Sequence, residues 1–294
     1  MKQRNAEILL IIVIASRSIS YLLSKIGLNG IPPLELLAIR FTLTTLILLL
    51  LFHRRLPQLT RQLWKAAGLL GTFLFACMAC ELVSLTTIPS STAAFLENTS
   101  AVWVLILMAI ISRHWPKKQV LTATALLLVG IACLTLQGST FSLAPGEAIC
   151  LTGSLFYAAW ICLTARLARQ YDPLLLGIVQ MGFLAVYSTL GTMVFETPAM
   201  PTDTTTWGAI LALVFICSVF GFTFQPVAQK YTSAEKAGLF TALNPLIAAV
   251  LGAIFLGEIF TPIQLAGAIC ILLGIIIVQL PEKYLCKTHP CQNS

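Results

Sequence analysis

The sequence predicts an all-α integral membrane protein with ten transmembrane helices in two inverted five-helix repeats. Three observations predict this fold class: the composition, ten long apolar stretches and an internal repeat. Of the 294 residues, 58% are hydrophobic and only 10% are charged, whereas a soluble domain carries about 25% charged residues. So few charges cannot cover a water-soluble surface, which excludes soluble, disordered and small disulfide-rich classes of protein. The predicted environment is a lipid bilayer.

Ten stretches are long enough to be membrane spans, because about 20 apolar residues are needed to cross the hydrocarbon core. They cover residues 8–28, 34–52, 66–87, 90–111, 119–137, 147–165, 173–195, 207–229, 237–256 and 263–280. Turn-forming or charged residues separate them, as at 29–33 and 53–55. We expect a first five-helix repeat at 1–140, a second, inverted repeat at 141–282 and a cytoplasmic tail at 283–294.

The basic residues predict the orientation. With a cytoplasmic N-terminus, every Lys and Arg except Arg17, Lys25 and Arg40 falls in an inside segment, and the outside loops carry acidic residues instead. Cytoplasmic loops are enriched in Lys and Arg. This pattern predicts a multi-pass protein of the plasma (inner) membrane with both termini in the cytoplasm. A cleavable signal peptide is the alternative for the first segment, but that segment has a full counterpart in the sixth.

The repeat emerges when the two halves are overlaid. With an offset of about 140 residues, 31–34 falls on 171–174, and Arg17 and Arg40 fall on Tyr157 and Gln180. With an offset of about 144, 81–100 falls on 225–244. Because five spans is an odd number, the halves must have opposite orientations in the membrane. Inverted repeats are typical of secondary transporters, whose substrate site lies near the midplane between the repeats.

Short motifs in both halves carry a family resemblance. They are Ser24-Lys25-Ile26-Gly27, Pro32-Pro33-Leu34-Glu35, Ile39-Arg40-Phe41, Ala165-Arg166-Leu167, Tyr171-Asp172-Pro173, Tyr231-Thr232-Ser233-Ala234, Asn244-Pro245-Leu246, and Gly257-Glu258 followed by Gln264 and Gly267. In this order the chain resembles the EamA-type ten-span carriers of the drug/metabolite transporter superfamily. The resemblance implies a metabolite carrier, often an exporter, with a central cavity between the halves. Where such carriers usually have Trp-Gly in the first span, this chain has Arg17-Ser18.

Four charged residues lie deep within the predicted spans: Arg17, Arg40, Glu81 and Glu97. At a rise of about 1.5 Å per residue, all four fall in the middle or outer half of the hydrocarbon core. Ionised groups there cost several kcal/mol unless they are paired or hydrated, so all four should face the protein interior. We expect Arg17 to bind substrate. For Arg40, Glu81 and Glu97 the sequence leaves open a structural charge pair and a role in ion or proton coupling.

Uncharged polar residues complete the predicted site. Tyr21 lies one turn from Arg17, Tyr157 is the repeat counterpart of Arg17, and Gln225 is the counterpart of Glu81. Two asparagines provide further amide donors and acceptors. The predicted substrate-binding residues are therefore Arg17, Tyr21, Glu81, Glu97, Asn98, Tyr157, Gln225 and Asn244.

The sequence offers no set of residues for catalysis or for a cofactor. The three histidines fall in predicted cytoplasmic segments, so a nucleophile, a histidine and an acid cannot meet within the membrane. Cys286, His289 and Cys291 are one ligand short of a structural zinc site, and there is no phosphate-binding loop for ATP. We therefore expect no catalytic residues, no metal and no cofactor. Nucleic acid is not an expected partner, and the oligomeric state is open.

The function predicted from these features is secondary active transport of a small polar or zwitterionic metabolite by alternating access. A cation and carboxylates at one level suit an amino acid or a related amino-metabolite, with export as the favoured direction. The alternative is a carrier for cationic amines or drugs, in which the arginines are structural. A different class would be a flippase for a lipid-linked substrate or an intramembrane enzyme.

Overall fold

The structure, a computed structural model, describes residues 3–88, 90–135, 144–247 and 261–279. Within these ranges all regular structure is helical. The helices are α1 (Gln3–Ser18), α2 (Ser20–Gly27), α3 (Pro33–Phe52), α4 (Arg61–Leu85), α5 (Ser90–Asn98), α6 (Ser100–Ser112), α7 (Lys118–Thr135), α8 (Pro145–Gln170), α9 (Pro173–Phe195), α10 (Thr204–Ala212), α11 (Thr223–Gln229), α12 (Ala234–Phe240) and α13 (Pro262–Gln279). A 3₁₀ turn, His53–Gln58, follows α3, and a π-helical segment, Leu213–Phe222, joins α10 to α11.

Seven helices of the described chain are long and apolar enough to cross a membrane. They cover Gln3–Gly27, Pro33–Gln58, Arg61–Leu85, Thr92–Ser112, Pro145–Gln170, Pro173–Phe195 and Thr204–Gln229. The predicted spans at 119–137 and 263–280 fall on shorter apolar helices, Lys118–Cys133 and Leu265–Ile277. The predicted span at 237–256 and the tail at 283–294 lie wholly or partly outside the described residues. The all-helical membrane architecture is confirmed, and the count of ten spans stays a prediction.

Prolines and capping side chains start several of these helices. Pro33, Pro145 and Pro173 occupy the first helical turn of α3, α8 and α9, where a missing N–H costs nothing. The Asp203 side chain accepts a hydrogen bond from the backbone N–H of Thr206 (2.8 Å) at the start of α10. The hydrogen bonds from Thr206 hold the pKa of the Asp203 carboxyl below its usual range. These local signals explain where the spans begin.

Helices α3 and α9 pack side by side and are joined at both ends. At one end, the Glu196 carboxylate accepts hydrogen bonds from the backbone N–H groups of Leu34 (3.1 Å) and Glu35 (3.0 Å). At the other end, Asp172 accepts from the first N–H groups of α9 at 2.9 Å, and Arg55 lies 3.7 Å from its second oxygen. Because the end of each helix meets the start of the other, α3 and α9 are antiparallel.

Glycines allow other helices to approach closely. A Cβ at Gly130 on α7 would lie 2.7 Å from the Gly267 carbonyl of α13, and one at Gly274 on α13 would lie 3.1 Å from the Ala123 carbonyl of α7. A Cβ at Gly177 on α9 would lie 2.2 Å from the Thr223 carbonyl of α11. Small residues at such crossings let helix backbones come into contact in a membrane protein. At these crossings the helices therefore pack backbone to backbone.

The cap at Asp172 yields a test of helix initiation. We expect Asp172→Ala to lower the free energy of unfolding by about 1 kcal/mol, because two N–H groups of α9 lose their acceptor. Asp172→Asn keeps an acceptor oxygen and should lower the free energy of unfolding by only a few tenths of a kcal/mol, since the exposed pair with Arg55 contributes little. Thermal unfolding of the detergent-solubilised protein measures both variants. If the Asn variant loses as much as the Ala variant, the ion pair and not the cap stabilises this end of α9.

Candidate functional site

Six of the eight predicted substrate-binding residues lie in, or are hydrogen bonded to, one short stretch of chain, residues 17–21, here called the 17–21 segment. The structure shows no hydrogen bond from this segment to the other two, Glu81 and Asn98. The helix is interrupted within the segment at Ile19, between α1 and α2. Its side chains reach four other parts of the fold: Arg17 reaches α8 and α11, Ser18 reaches the helical residues 243–247, and Tyr21 reaches α5. The backbone stays nearly helical at Ile19, and because successive helical residues point about 100° apart, adjacent side chains face different helices. The segment therefore lies where both halves of the sequence meet.

Among the residues that the structure describes, the groups in direct contact with the Arg17 guanidinium are neutral. Its Nη1 donates hydrogen bonds to the Tyr157 hydroxyl (2.7 Å) and to the Gln225 side-chain oxygen (2.5 Å). The guanidinium carbon lies 3.7 Å from the centre of the Phe222 ring, which is a cation–π contact. Only 6% of Arg17 is exposed, and its Nε has no hydrogen-bond partner. A buried cation is thus positioned by a phenol, an amide and an aromatic ring.

A layer of rings and amides lies behind Arg17 and fixes its partners. The Tyr157 ring stacks on Trp160, with centroids 5.7 Å apart and planes at 11°. The Trp160 Nε1 donates to the Gln180 side-chain oxygen (3.1 Å), and the Gln180 Nε2 donates to the Phe222 carbonyl (3.3 Å). This chain of contacts joins α8, α9 and the π-helical segment. Tyr157 is therefore held in the orientation in which it accepts from Arg17.

Arg40, on α3, is the second buried arginine. Its Nε donates to the Ser218 hydroxyl at 2.8 Å, and its Nη2 has no hydrogen-bond partner. Its guanidinium carbon lies 5.9 Å from the centre of the same Phe222 ring that Arg17 covers. Within the described residues, no carboxylate oxygen lies within 4.0 Å of a nitrogen of Arg17 or Arg40. The structure does not bring Arg40 into the charge pair that the sequence suggests.

The two buried carboxyl groups have different surroundings. Glu97, on α5, accepts a short hydrogen bond from the Tyr21 hydroxyl. Glu81, on α4, is 5% exposed, and no Lys or Arg nitrogen of the described chain lies within 4.0 Å of its carboxyl group. Neither carboxyl group is therefore in direct contact with an arginine of the described chain, although both are close enough to interact with the arginines electrostatically.

The remaining predicted residues add amide groups to the centre. The Ser18 hydroxyl lies 3.1 Å from the Asn244 Oδ1, and the Asn98 Nδ2 donates to the Ala94 carbonyl (2.7 Å). The Asn98 Oδ1 and the Gln225 Nε2 are buried without a partner. Buried polar atoms in proteins are nearly always satisfied, so these two amide atoms are candidates to bind polar groups from outside the chain.

Sequence reasoning found the charged and amide residues but missed several of their partners. Phe222, Ser218 and Gly221 all lie in or at the end of the π-helical segment, and an apolar run gives no sign of a π-helix. Gln180 appeared only as the repeat counterpart of Arg40. The signal that could have found it is its position as an amide within an otherwise apolar span.

A model for the EamA-like transporter family matches the chain twice, at residues 4–136 and 144–280. The chain belongs to this family. Its relatives are therefore membrane transporters. The long apolar helices agree with the location of this EamA-like transporter in a membrane.

Curated relatives resemble the transporter over most of its length. A protein of Salmonella typhimurium named "probable amino-acid metabolite efflux pump" is 24% identical over 93% of this chain and 94% of its own. The uncharacterized transporter YyaM of Bacillus subtilis is 24% identical over 96% of this chain and 97% of its own. An uncharacterized transporter of Archaeoglobus fulgidus is 26% identical over 87% of this chain and 80% of its own. All three relatives are named as transporters or efflux pumps. This agrees with the expectation that the chain is not an enzyme.

A solved crystal structure has the same fold. It superposes with a TM-score of 0.81 over 97% of this chain and 99% of its own, at 18% sequence identity. At that identity the likeness concerns the fold alone.

Close contact between Gly221 and Arg17 leads to a prediction about the site. A Cβ at Gly221 would lie 2.6 Å from the Arg17 Cγ, so Gly221→Ala should displace the guanidinium from Tyr157 and Gln225. We expect transport to fall by at least about tenfold, because a hydrogen bond to a charged group contributes at least about 1.5 kcal/mol, which corresponds to that factor. The matched control is Gly208→Ala on α10, where a Cβ would meet nothing within 4 Å. Equal transport by the two variants in proteoliposomes would contradict a role for the position of Arg17.

Proposed function

We propose that this EamA-like transporter carries a small zwitterionic metabolite, an amino acid or a related amino-metabolite, by alternating access between its two halves. Arg17 binds the carboxylate of the substrate. Glu97 and Glu81 face the ammonium group, and Tyr21, Asn98, Tyr157, Gln225 and Asn244 provide the surrounding hydrogen bonds. We further propose export as the direction, and the plasma (inner) membrane as the location.

The state of Arg17 is the observation that carries this proposal. A guanidinium that is only 6% exposed, and whose hydrogen-bond acceptors among the described residues are both neutral, has no carboxylate in direct contact with it, although the buried Glu97 and Glu81 are close enough to interact with its charge. Such a charge is costly unless an anion joins it. The Arg17 Nε is also buried without a hydrogen-bond partner. A carboxylate from the substrate supplies the missing group.

The carboxyl groups support the ammonium end of the substrate. Tyr21 orients Glu97 by donating to one of its oxygens, and Glu81 has no basic partner within 4.0 Å among the described residues. Both belong to the first half of the sequence, as do Arg17 and Arg40. Because the repeat counterparts in the second half are uncharged, a bound zwitterion would have one preferred orientation.

The name of one relative supports the substrate class. The Salmonella typhimurium protein, 24% identical to this chain, is named for efflux of amino-acid metabolites. That name belongs to the relative. Together with the chemistry of Arg17 and Glu97, it favours amino-metabolites over the cationic amines or drugs of the alternative interpretation.

The packing of two helix pairs supports the proposal that the repeats at 1–140 and 141–282 are inverted relative to each other. It also supports the proposed count of ten spans. The contacts of α7 with α13 are reciprocal: Gly130 meets Gly267, and Gly274, the counterpart of Gly130, meets Ala123, the counterpart of Gly267. The antiparallel pair α3 and α9, which are repeat counterparts, is likewise joined at both ends, by Glu196 with Leu34 and by Arg55 with Asp172. Helices that meet their own counterparts in antiparallel fashion lie next to a two-fold axis in the membrane plane, as inverted repeats require.

Substrate binding can be tested with a double variant. Arg17→Gln combined with Glu81→Gln, or with Glu97→Gln, removes one charge of each sign, so the variant should fold. We expect it to show no thermal stabilisation by amino acids. The wild type should gain about 2.7 kcal/mol at a ligand concentration of about 100 times Kd.

Retention of the wild-type stabilisation by the double variant would make Arg17 a structural residue. The proposal would then give way to a carrier of cationic substrates. Uptake of labelled amino acids and labelled amines into proteoliposomes, with and without a pH gradient, separates these two functions.

Orientation has its own test. With both termini cytoplasmic, a single cysteine at Thr204 should react with a membrane-impermeant thiol reagent added outside intact cells, and one at Gln62 should not. Both positions are exposed, so accessibility to water does not separate them. The background is a chain whose nine native cysteines are replaced. Reversed labelling would overturn the orientation.

A further inference from the structure

The two buried arginines share one aromatic ring. Their guanidinium carbons lie 3.7 Å (Arg17) and 5.9 Å (Arg40) from the centre of Phe222, so they are no further apart than the sum of those distances. They contact the same membrane span at Gln225 and Ser218. Seven residues separate these contacts, which is roughly 10 Å along a helix. Phe222 lies between them.

Each guanidinium keeps an unused donor. The Arg17 Nε and the Arg40 Nη2 are buried without a hydrogen-bond partner. Arg40 is only 1% exposed, and no carboxylate of the described chain reaches it within 4.0 Å. A buried donor without a partner costs about 1–3 kcal/mol, and more when it is charged. A substrate with a single carboxylate can bind Arg17, but it leaves the Arg40 Nη2 without a hydrogen-bond partner.

From this accounting we infer that the site accepts an amino-dicarboxylic substrate, whose second acidic group binds Arg40. The inference rests on the proposed function, because it takes the first carboxylate to be bound at Arg17 and the ammonium group at Glu97. Arg40 is then the residue that distinguishes acidic from neutral amino-metabolites. Arg17, by contrast, serves both classes.

The charges of the surroundings agree with this assignment. Ser218, the only described hydrogen-bond partner of the Arg40 side chain, is neutral, and Phe222 presents the face of its ring. Glu97 is already bound by Tyr21, and Glu81 interacts with Arg40 only at a distance. The two guanidiniums, each with an unpaired donor, give the site two positions for anions, and the two buried carboxyl groups give it a position for a cation.

Glutamate and glutamine are suitable probes, because they have nearly the same size and differ in the second acidic group. Their affinities for the purified, full-length protein are measured by thermal shift and by counterflow in proteoliposomes. We expect the wild type to favour glutamate over glutamine by at least about tenfold, the value of one charged hydrogen bond. Aspartate and asparagine provide a second, shorter pair.

Variants assign the preference to a residue. Arg40→Gln should reduce the ratio to about one while glutamine binding is kept, and Arg17→Gln should abolish binding of both amino acids. Arg40→Lys, which keeps the charge, should retain part of the preference for glutamate. The matched control is Arg61→Gln, at an exposed arginine at the start of α4, which should leave the ratio unchanged.

The outcomes separate the two proposals. A wild type that binds glutamine as well as glutamate, through Arg17, would overturn the role of Arg40 and leave the proposed function in place. An Arg40→Gln variant that weakens both ligands equally would do the same. If neither acidic nor neutral amino acids bind the wild type, the proposed function fails and this inference fails with it. Should Arg40→Gln not fold, the wild-type ratio and Arg40→Lys still decide.

Discussion

The burial of the Arg17 guanidinium among neutral partners is the constraint on which the rest of the site depends. A cation in the membrane interior must be hydrogen bonded, or it would not remain there. Its donors go to Tyr157 on α8 and Gln225 on α11, and its flat face covers Phe222. Three elements of the second half of the sequence are therefore positioned by one side chain of the first half.

Close packing around this cation limits which residues can occupy the neighbouring positions. Gly221 has no side chain where the Arg17 Cγ passes, and the neighbouring Ser18 and Tyr21 are hydrogen bonded to Asn244 and Glu97. The π-helical segment places Ser218 near Arg40 and Phe222 near both arginines. π-Helical stretches within α-helices often occur at functional sites, and this ten-residue segment presents the Ser218 hydroxyl and the Phe222 ring to the arginines.

Sequence patterns predicted the helical membrane class and the charged residues of the site, because both depend on local composition. The apolar stretches and the buried Arg17, Arg40, Glu81 and Glu97 are visible without any knowledge of packing. Helix packing determines which of these charged groups come into contact. The sequence alone could not predict those contacts. Arg40 illustrates this. The sequence suggested a charge pair with a carboxylate, but Arg40 binds a serine hydroxyl instead. The amide and hydroxyl groups that bind the two arginines lie up to about 200 positions away along the chain, so no local pattern reveals them.

The distribution of partners between the halves relates binding to movement. Both arginines belong to the first half, and their hydrogen-bond acceptors, Tyr157, Gln225 and Ser218, belong to the second. Any motion that separates the halves must break these bonds, and each broken bond leaves a charged donor unpaired. A substrate carboxylate can replace the lost acceptors, so an occupied site would lower the cost of separation. A ligand shifts a conformational equilibrium only through such a difference between states, and the unused donors of Arg17 and Arg40 provide the physical basis for one.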